Sequence, residues 1–547
     1  MSQQTEPVQP IMEMDKSGIF HDSSENSQDS EERQDEDRPQ LKRQLKARHM
    51  QMIAIGGTIG TGLFIASGAS IATAGPAGAL IAYTFVGSVV FSVMNSLGEM
   101  STYIPISGAF TAFASRFAHP SLGFAMGWVY WFSWAMTFSL ELTAIGLVIQ
   151  YWLPRLKISI CIGVFWVFLT ILNFLPVSIF GEFEFWLSSV KVITVAGFLI
   201  FAICIDAGAG QHGYLGFSTW RDPGAFAPYL ITSSPALGKF IGFWAVMIQA
   251  GFSYQGTELV GIAAGECENP RKNVPAAIRK TFFRILIFFV LSIFFIGLLI
   301  PHDNELLLSE SSNATASPFV IAANLAGVKV LSGIINAVLL FVILSAANSN
   351  IYSGSRVLLG LANDGFAPKF VTRTTQNGIP YIAVAFTSSF GLLAFLNESD
   401  RGGEVFSWLM NISAISGFIT WACISYCHIA FMRALEARGI SRDTLPFSAL
   451  GGKWFAWYGL SFNVLIILTQ GFTAFIPWNS SKFFTCYISL LLFIVLFVGH
   501  VLVMKTKFVS PLEADIKTGR LKGEGEGETW SIERPKTFGQ KIMEWLL

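Results

Sequence analysis

The chain reads Gly56-Gly57-Thr58-Ile59-Gly60-Thr61-Gly62 near the middle of its first long apolar stretch. A second interruption, Phe252-Ser253-Tyr254-Gln255-Gly256-Thr257-Glu258, lies inside a later apolar stretch. Glycine costs a helix about 1 kcal/mol relative to alanine, and backbone groups freed in hydrocarbon cost more unless they face a cavity or a ligand. Interrupted helices at corresponding places in two halves of a chain are typical of a transporter site. The two stretches therefore predict a transporter whose binding site lies at the breaks.

The composition is that of a membrane protein. Of the 547 residues, 52% are hydrophobic and only 13% are charged, which is about half the charged share of a soluble protein. The formal net charge is zero, so nothing indicates a nucleic-acid partner. The 6 cysteines have neither the spacing of a disulfide framework nor that of a zinc site. We therefore expect neither a metal nor another cofactor.

Apolar runs long enough to cross a bilayer as helices recur along the chain. They define twelve predicted spans, numbered in chain order, at residues 50–73, 78–98, 121–148, 159–177, 186–206, 239–265, 281–301, 329–350, 380–397, 405–431, 455–476 and 483–505. The breaks fall in the first and sixth spans, which is the spacing of a five-plus-five inverted repeat with two helices appended. The predicted fold class is an all-α membrane protein with 12 transmembrane helices, a LeuT-like 5+5 inverted repeat and discontinuous helices 1 and 6.

The two ends of the chain are predicted to lie outside this core. Residues 1–47 are acidic and lack an apolar period, so they cannot bury a core and are predicted to be disordered. Residues 48–505 form the predicted twelve-helix transporter core, and residues 506–547 form a C-terminal tail.

The distribution of Lys and Arg near the span ends predicts the orientation of the chain. If the N-terminus is cytoplasmic, most basic residues fall in inside loops, including Lys42, Arg43, Lys46, Arg48, Arg116, Arg271, Lys272, Arg279, Lys280, Arg356, Lys369, Arg373, Arg433, Arg438, Arg442 and Lys453. Both termini are therefore predicted to be cytoplasmic. Asn313 then lies in an outside loop, within Asn313-Ala314-Thr315, and is a predicted glycosylation acceptor.

Several motifs resemble a known family. The stretches at 56–64 (GGTIGTGLF), 252–261 (FSYQGTELVG) and 265–275 (GECENPRKNVP) resemble the fungal branch of the amino acid–polyamine–organocation superfamily of permeases. Within that branch, four stretches look most like permeases for basic amino acids: 348–356 (NSNIYSGSR), 439–447 (GISRDTLPF), 470–475 (QGFTAF) and 535–538 (PKTF). The resemblance implies import of L-arginine and L-lysine by alternating access, with proton symport. It also implies a plasma-membrane location, an internal membrane being the alternative.

The broken helices carry the predicted backbone contacts to the substrate. A half-helix that restarts after the first break points unpaired N–H groups and a positive dipole end into the cavity, which suits an α-carboxylate. The predicted carboxylate contacts are Thr58, Gly60, Thr61 and Gly62. The predicted contacts to the α-ammonium are unwound carbonyls near Ile55, Gly56, Phe252 and Ser253. Similar permeases use the two breaks in the same way.

Three ionisable residues inside predicted spans are candidates for the site, since a charge at mid-helix costs about 2.5–3.5 kcal/mol. Glu141 in the third span is either the counter-charge for a basic side chain or a proton-binding carboxylate. Glu258 ends the second break and either holds it open or gates the cavity. Lys191 in the fifth span resembles the lysine that some proton-coupled relatives place where sodium-coupled ones hold a cation. The resemblance implies that Lys191 loads and releases a proton during the cycle, so Lys191 and Glu141 are the predicted proton-coupling residues. The alternative for each residue is a hydrogen bond that staples two helices together.

Polar residues on other spans are candidates for the side-chain pocket. Ser133, Thr137 and Glu141 are spaced at i, i+4 and i+8, so they lie on one helical stripe that is predicted to line a wall. Ser413 on the tenth span is predicted to join them, although each hydroxyl alone is equally compatible with an interhelical hydrogen bond. The predicted aromatic gate residues are Trp244, Phe252 and Tyr254.

The sequence leaves two alternatives to a basic amino acid permease. One is a broad-specificity or neutral amino acid permease of the same fold, and the other is a nutrient sensor that keeps the fold and signals through its tails. No nucleophile–base set, metal spacing or phosphate loop indicates an enzyme. The acidic N-terminal arm with Lys16, Lys42 and Lys46 resembles permease tails that are ubiquitinated, which implies a ubiquitin ligase or its adaptor as a partner.

Overall fold

The computed structural model describes residues 13–14, 20–21 and 47–519, apart from 107–108, 212, 232, 264–266, 268–269, 309–316 and 399–401. Residues 1–41 and 42–547 form two separate compact units. The described part of the first unit is an antiparallel pair of two-residue strands, Glu13–Met14 and Phe20–His21. The predicted glycosylation acceptor and the predicted ubiquitin sites lie outside the described residues: Asn313, Lys16, Lys42 and Lys46.

The described part of the second unit is built from helices. The α-helices are Ala47–Thr58, Ser67–Tyr103, Ala109–Phe113, Pro120–Ile149, Ile158–Asn173, Val177–Cys204, Pro235–Ala245, Met247–Tyr254, Leu259–Ala263, Pro270–Leu299, Glu305–Leu308, Pro318–Leu325, Lys329–Asn363, Tyr381–Ser389, Gly402–Ala437, Gly452–Thr469 and Ser480–Met504. The π-helical turns are Gly62–Ala66, Ala114–Ala118, Ile205–Ala209 and Trp220–Gly224. The 3₁₀ segments are Lys369–Thr372, Phe390–Glu398, Arg442–Thr444 and Gln470–Ala474.

Each predicted span corresponds to helix. Among the described residues, 9 helical segments are long and apolar enough to cross a membrane, and the longest, Gln51–Tyr103, contains the first two predicted spans. Gly75, at φ +75°, and Pro76 separate these two spans. Two shorter apolar helices, Ile158–Asn173 and Tyr381–Leu396, correspond to the fourth and ninth, and the fourth ends four residues earlier than predicted, at Asn173. The all-α membrane fold is confirmed, and the count of twelve crossings stays a prediction.

The fifth span begins earlier than predicted. Its helix runs from Val177, with Pro176 at the N-cap, rather than from residue 186. Two glutamates in the first turns, Glu182 and Glu184, lower the local hydropathy and hide this part of the helix from a search for apolar runs. The correction matters because it brings Glu184 into the fifth span.

Both predicted breaks are present. The first helix ends at Thr58 and resumes as a π turn at Gly62, while the sixth span is interrupted between Tyr254 and Leu259. Gly256 has φ +100°, which L side chains rarely adopt. A Cβ on Gly256 would lie 2.8 Å from the carbonyl oxygen of Gly57. The two breaks therefore cross in direct backbone contact.

The spans differ in how deeply they lie in the bundle. In the most apolar 18-residue stretch of each helix, 89% of the residues are buried in the third span and in the tenth, against 11% in the twelfth. The outer surface is apolar, with exposed side chains such as Ile193 and Leu502. Exposed aliphatic side chains on this scale suit contact with lipid. The third and tenth spans therefore form the centre of the bundle, and the twelfth lies at its periphery.

The C-terminal segment 505–519 is docked against one end of the bundle, called here the tail end. Arg438, at the close of the tenth span, donates to the carbonyl oxygens of Pro511 (2.8 Å), Leu512 (2.6 Å) and Ala514 (2.6 Å). The side chain of Ala514 is buried. Three charge-assisted hydrogen bonds from one guanidinium group fix the path of this segment.

Asp515 organises the far part of the same segment. Its Oδ1 accepts from the N–H groups of Lys517 (3.1 Å) and Thr518 (3.0 Å), and its Oδ2 lies 3.8 Å from Arg116 Nη1. Burial alone would raise the pKa of Asp515, but these donors and Arg116 hold the pKa below its usual value of 3.8. The carboxylate thus stabilises the docking above pH 3.8, and this contribution is lost as the pH falls through the lower folded-state value.

A buried carboxylate, Glu99, anchors the loop between the tenth and eleventh spans. Arg442 donates to it through Nε (2.9 Å) and Nη2 (2.6 Å), and the N–H of Ala449 donates at 2.6 Å. His428 Nε2 lies 3.3 Å from the same carboxylate. The motif at 439–447, which supports the resemblance to basic permeases, therefore serves a packing contact far from the breaks.

We expect Arg442→Ala to lower the free energy of unfolding by about 1.5–3 kcal/mol, because it removes the charge-assisted hydrogen bonds of a partly exposed arginine from the buried Glu99 carboxylate. Thermal unfolding of the purified protein in detergent measures this loss. Lys453→Ala is the matched control, since Lys453 pairs with the exposed Glu436 on the surface and such pairs contribute about 0–1 kcal/mol. Equal unfolding temperatures for the two variants would contradict the prediction.

Candidate substrate site

A narrow cavity lies where the two breaks meet. Of the predicted contacts, Thr58, Gly60, Thr61, Gly62, Thr137, Glu141 and Phe252 line it. The lining also includes four residues that the sequence analysis did not select: Gly57, Trp134, Gln255 and Asn350. The cavity volume is only about 20 Å³, which is room for about one or two water molecules. An amino acid therefore enters only if the walls move apart.

Glu141 lies against the restart of the first helix. Thr61 Oγ1 donates to Glu141 Oε1 at 2.9 Å, and the Thr61 backbone N–H also interacts with this carboxylate. Both side chains are buried, and Glu141 Oε2 has no hydrogen-bond partner. The N-terminal end of a helix favours any anion. Glu141 thus occupies the position that the sequence predicts for the substrate carboxylate.

The predicted open carbonyls are already used within the protein. Ile55 O accepts from the N–H of Ile59 (2.8 Å), and Phe252 O accepts from the N–H of Gln255 (3.2 Å). Gly56 O accepts from Lys191 Nζ. Ile55 O and Phe252 O thus keep backbone donors in this conformation, whereas Gly56 O accepts from the ammonium group of a side chain. The contact of these carbonyls with a substrate ammonium group stays a prediction.

Gln255 joins the polar residues of the third and tenth spans into one network. Its Nε2 donates to Ser133 Oγ (2.5 Å), and its Oε1 accepts from Ser413 Oγ (3.1 Å). Ser413 Oγ also lies 2.5 Å from Thr137 Oγ1. Three predicted hydroxyl residues are thus brought together, although Ser133 and Ser413 reach the cavity through Gln255. The sequence signal for Gln255 was its position within the break itself.

Ser253 and Tyr254 lie outside the cavity lining. Ser253 Oγ lies 3.0 Å from Tyr83 OH and donates to Gln249 O at 2.9 Å. The Tyr254 ring packs on Phe289 with the centroids 4.9 Å apart. These two predicted substrate contacts connect the sixth span to the second and seventh spans in this conformation.

Glu258 closes the second break. Its Oε1 accepts from Tyr130 OH (2.8 Å) and its Oε2 from Trp421 Nε1 (3.2 Å). The N–H of Gly256 donates to the same carboxylate at 3.2 Å. Because its partners come from the third and tenth spans, Glu258 fixes the shape of the break to the centre of the bundle and lies apart from the cavity.

The fifth span adds two buried ionisable residues beside the first break. Lys191 donates to Gly56 O, and Glu184 accepts from Ser345 Oγ and from Ser188 Oγ, the latter at 3.2 Å. Lys191 interacts electrostatically with both Glu184 and Glu141. The neighbourhood of the break thus holds one cation and two carboxylates. Within the described residues, no group of three or more His, Cys, Asp or Glu side chains is placed to hold a metal ion.

A helical membrane bundle in which two broken helices meet at a buried polar cavity is the architecture of a membrane transporter. In a comparison with protein-family models, residues 49–512 match the amino acid permease family. The chain belongs to this family, and it is a multi-pass membrane transporter rather than an enzyme.

Individual relatives agree with this assignment. The chain is 47% identical over 524 residues to the lysine-specific permease of Saccharomyces cerevisiae, covering 96% of this chain and 85% of the relative. It is 50% identical over 461 residues to the lysine/arginine permease of Candida albicans, covering 84% and 80%. A solved manganese transporter of Eremococcus coleocola shares the fold, with a TM-score of 0.50 at 13% identity, covering 84% of this chain and 93% of that one.

Proposed function

We propose that the protein imports the basic amino acids L-arginine and L-lysine by alternating access, with a proton as co-substrate. The observation that carries the proposal is Glu141, a buried carboxylate in the cavity with one oxygen that lacks a hydrogen-bond partner. Such an oxygen accepts strongly from a guanidinium or ammonium group. The printed names of the two fungal relatives, for lysine and for lysine and arginine, support the same substrate class.

Substrate binding exchanges one anion for another at the first break. In the present conformation Glu141 accepts from Thr61 at the restart of the helix. We infer that an incoming substrate places its α-carboxylate on this helix end, and that Glu141 turns its carboxylate to the cationic side chain. Because the cationic side chain then has a counter-charge, the site accepts a basic amino acid without leaving that buried side chain uncompensated. A neutral amino acid leaves Glu141 unpaired.

Alternating access follows from the narrowness of the cavity and from the glycines around it. The cavity is closed to an amino acid in this conformation, so the two half-helices must move relative to the third and tenth spans. The breaks supply the hinges, since Gly256 and Gly60 carry no side chain to obstruct the motion.

Accumulation of a cation needs no second ion if the inside is negative. The potential contributes about 2.3 kcal/mol per charge per 100 mV, and a proton gradient adds to it. We propose that the tail end faces the cytoplasm of a plasma-membrane transporter. This orientation is supported by the concentration of arginines there, including Arg116, Arg438 and Arg442. On sequence grounds we further propose that ubiquitin is attached at Lys16, Lys42 or Lys46.

The test is uptake of radiolabelled arginine and lysine by permease-deficient yeast at pH 5 and pH 7. We expect saturable uptake of both, faster at pH 5, that excess unlabelled basic amino acids abolish and neutral ones do not. The control is the same strain with an empty vector, together with a measurement of permease at the cell surface. Absence of uptake by surface-exposed protein would refute the assignment. Uptake that neutral amino acids compete for equally would favour a broad-specificity permease.

A further inference from the structure

We propose that Glu184 is the proton-binding positioning residue of this transporter, acting through Lys191 on the first half-helix, Ala47–Thr58. The inference deepens the proposed function and rests on it, because a proton must accompany the substrate. Glu184 does not line the cavity and therefore does not contact the substrate there. Its role is to convert proton binding into a change in the position of the half-helix.

The carboxyl group of Glu184 is buried in the bundle, and only one of its two oxygens accepts hydrogen bonds of good geometry. Its side chain is 0% exposed, and Oε1 accepts from Ser345 of the eighth span and from Ser188. Asn348 of the eighth span also interacts with this carboxyl group, but Oε2 has no hydrogen bond of good geometry. A buried carboxylate is costly as a charge even beside a lysine, and a proton on the carboxyl group removes that charge. The geometry therefore provides a place for one proton.

The same carboxyl group abuts the half-helix. A Cβ on Gly56 would lie 1.9 Å from Glu184 Oε1 and 2.5 Å from Ser188 Oγ. Ser188 Oγ also donates to Met52 O at 2.9 Å. Residues 184, 188 and 191 are spaced as one face of a helix, and this whole face of the fifth span contacts the half-helix.

Lys191 connects the charge of Glu184 to the position of the first half-helix. Its Nζ donates to Gly56 O, and it interacts electrostatically with Glu184 on one side and with Glu141 of the third span on the other. The groups that face Glu184 from the first and eighth spans, Gly56, Ser345 and Asn348, are uncharged. From the seventh span, Arg284 reaches the half-helix, where it donates to Gln51 Oε1 at 3.4 Å.

Glu184 and Lys191 form a pair with two protonation states. In the loaded form, Glu184 is a neutral carboxylic acid and Lys191 is an ammonium group that is free to hold Gly56 O, as observed. Release breaks the O–H bond of Glu184, and the proton leaves to solvent while the electron pair stays on the carboxylate. The ammonium group of Lys191 then turns to the new carboxylate, and its hydrogen bond to Gly56 O breaks. Loss of the proton thus frees the half-helix, which is the element that must move for access to alternate.

The experiment uses the full chain reconstituted in liposomes, with Glu184→Gln and Glu184→Asp beside wild type. Glutamine keeps the size of the side chain and an acceptor for Ser345 but cannot titrate. Two rates are measured: exchange of labelled for unlabelled lysine, and net lysine uptake driven by an imposed pH gradient at clamped zero voltage. We expect Glu184→Gln to keep exchange within about threefold of wild type and to lose pH-driven uptake by about tenfold or more. Glu184→Asp should restore part of the driven uptake with a shifted pH profile.

Glu182→Gln is the matched control, because it removes a neighbouring acid of the same helix that is not fully buried. Driven uptake by Glu184→Gln with the wild-type pH profile would overturn the inference, and so would equal loss of exchange and driven uptake in folded protein. A wild-type protein that transports neither lysine nor arginine would refute the proposed function itself. A wild-type protein that exchanges lysine but ignores the pH gradient would refute proton coupling and, with it, the role of Glu184.

Discussion

Glu141→Gln is expected to lower uptake of arginine and lysine by roughly 100-fold or more, because the loaded site then holds a buried cation without its counter-charge. Breaking a buried charge pair in this way costs about 3–5 kcal/mol, and about 1.4 kcal/mol corresponds to a factor of ten. The hydrogen bond from Thr61 to Oε1 survives the substitution, since glutamine offers an acceptor. The loss therefore reports on the charge rather than on the fold of the break.

The measurement is initial-rate uptake over a range of substrate concentrations, normalised to permease at the cell surface. Glu141→Asp keeps the charge but withdraws the carboxylate from Thr61, so we expect an intermediate loss. Glu436→Gln is the control, because Glu436 is an exposed partner of Lys453 at the surface. Normal arginine uptake by surface-exposed Glu141→Gln would refute the proposed role of Glu141. Loss of arginine uptake together with a new exchange of a neutral amino acid would confirm that Glu141 selects the charge of the substrate.

Gly256→Ala is expected to destabilise the protein by about 2–6 kcal/mol and to abolish transport. Backbone strain at a positive φ accounts for about 1–3 kcal/mol, and overpacking adds about 1–3 kcal/mol. The new Cβ would lie 2.8 Å from Gly57 O, and a backbone atom cannot move aside as a side chain does. Because the two breaks touch at this point, the strain falls on both discontinuous helices at once.

Two further alanine variants test whether the loss depends on what the new Cβ contacts. Gly57→Ala places a Cβ 2.2 Å from Leu259 Cδ1, the far end of a flexible side chain, so we expect a smaller loss. Gly197→Ala in the fifth span meets nothing within 4 Å and should be neutral or stabilising by up to about 1 kcal/mol. Thermal unfolding in detergent and uptake in cells provide the two readouts. Wild-type stability and uptake in Gly256→Ala would contradict the crossing of the breaks.

Glycine density and hydropathy were sufficient to predict the discontinuous first and sixth spans, because each break needs backbone that ordinary residues resist. Helical periodicity likewise predicted that Thr137 and Glu141 share a face, and both line the cavity. The role of Gln255 was not predicted. Periodicity relates residues along one helix, whereas the Gln255 network depends on which faces of the third, sixth and tenth spans meet.

The fifth span shows a different limit of sequence reasoning. Glu184 was excluded because hydropathy averages over a window, and two acids at the start of a helix move the apparent boundary inward. The motif at 439–447 shows the converse. It resembles a subgroup of permeases in sequence, yet Arg442 serves the burial of Glu99 rather than the substrate. Family likeness does not separate residues that hold a loop in place from residues that select a ligand.

The C-terminal segment 505–519 is fastened at two points, Arg438 at the end of the tenth span and Arg116 just before the third. Those two spans carry Ser413 and Glu141 at the centre of the bundle. A displacement of segment 505–519 would therefore act on the ends of the two helices that shape the cavity.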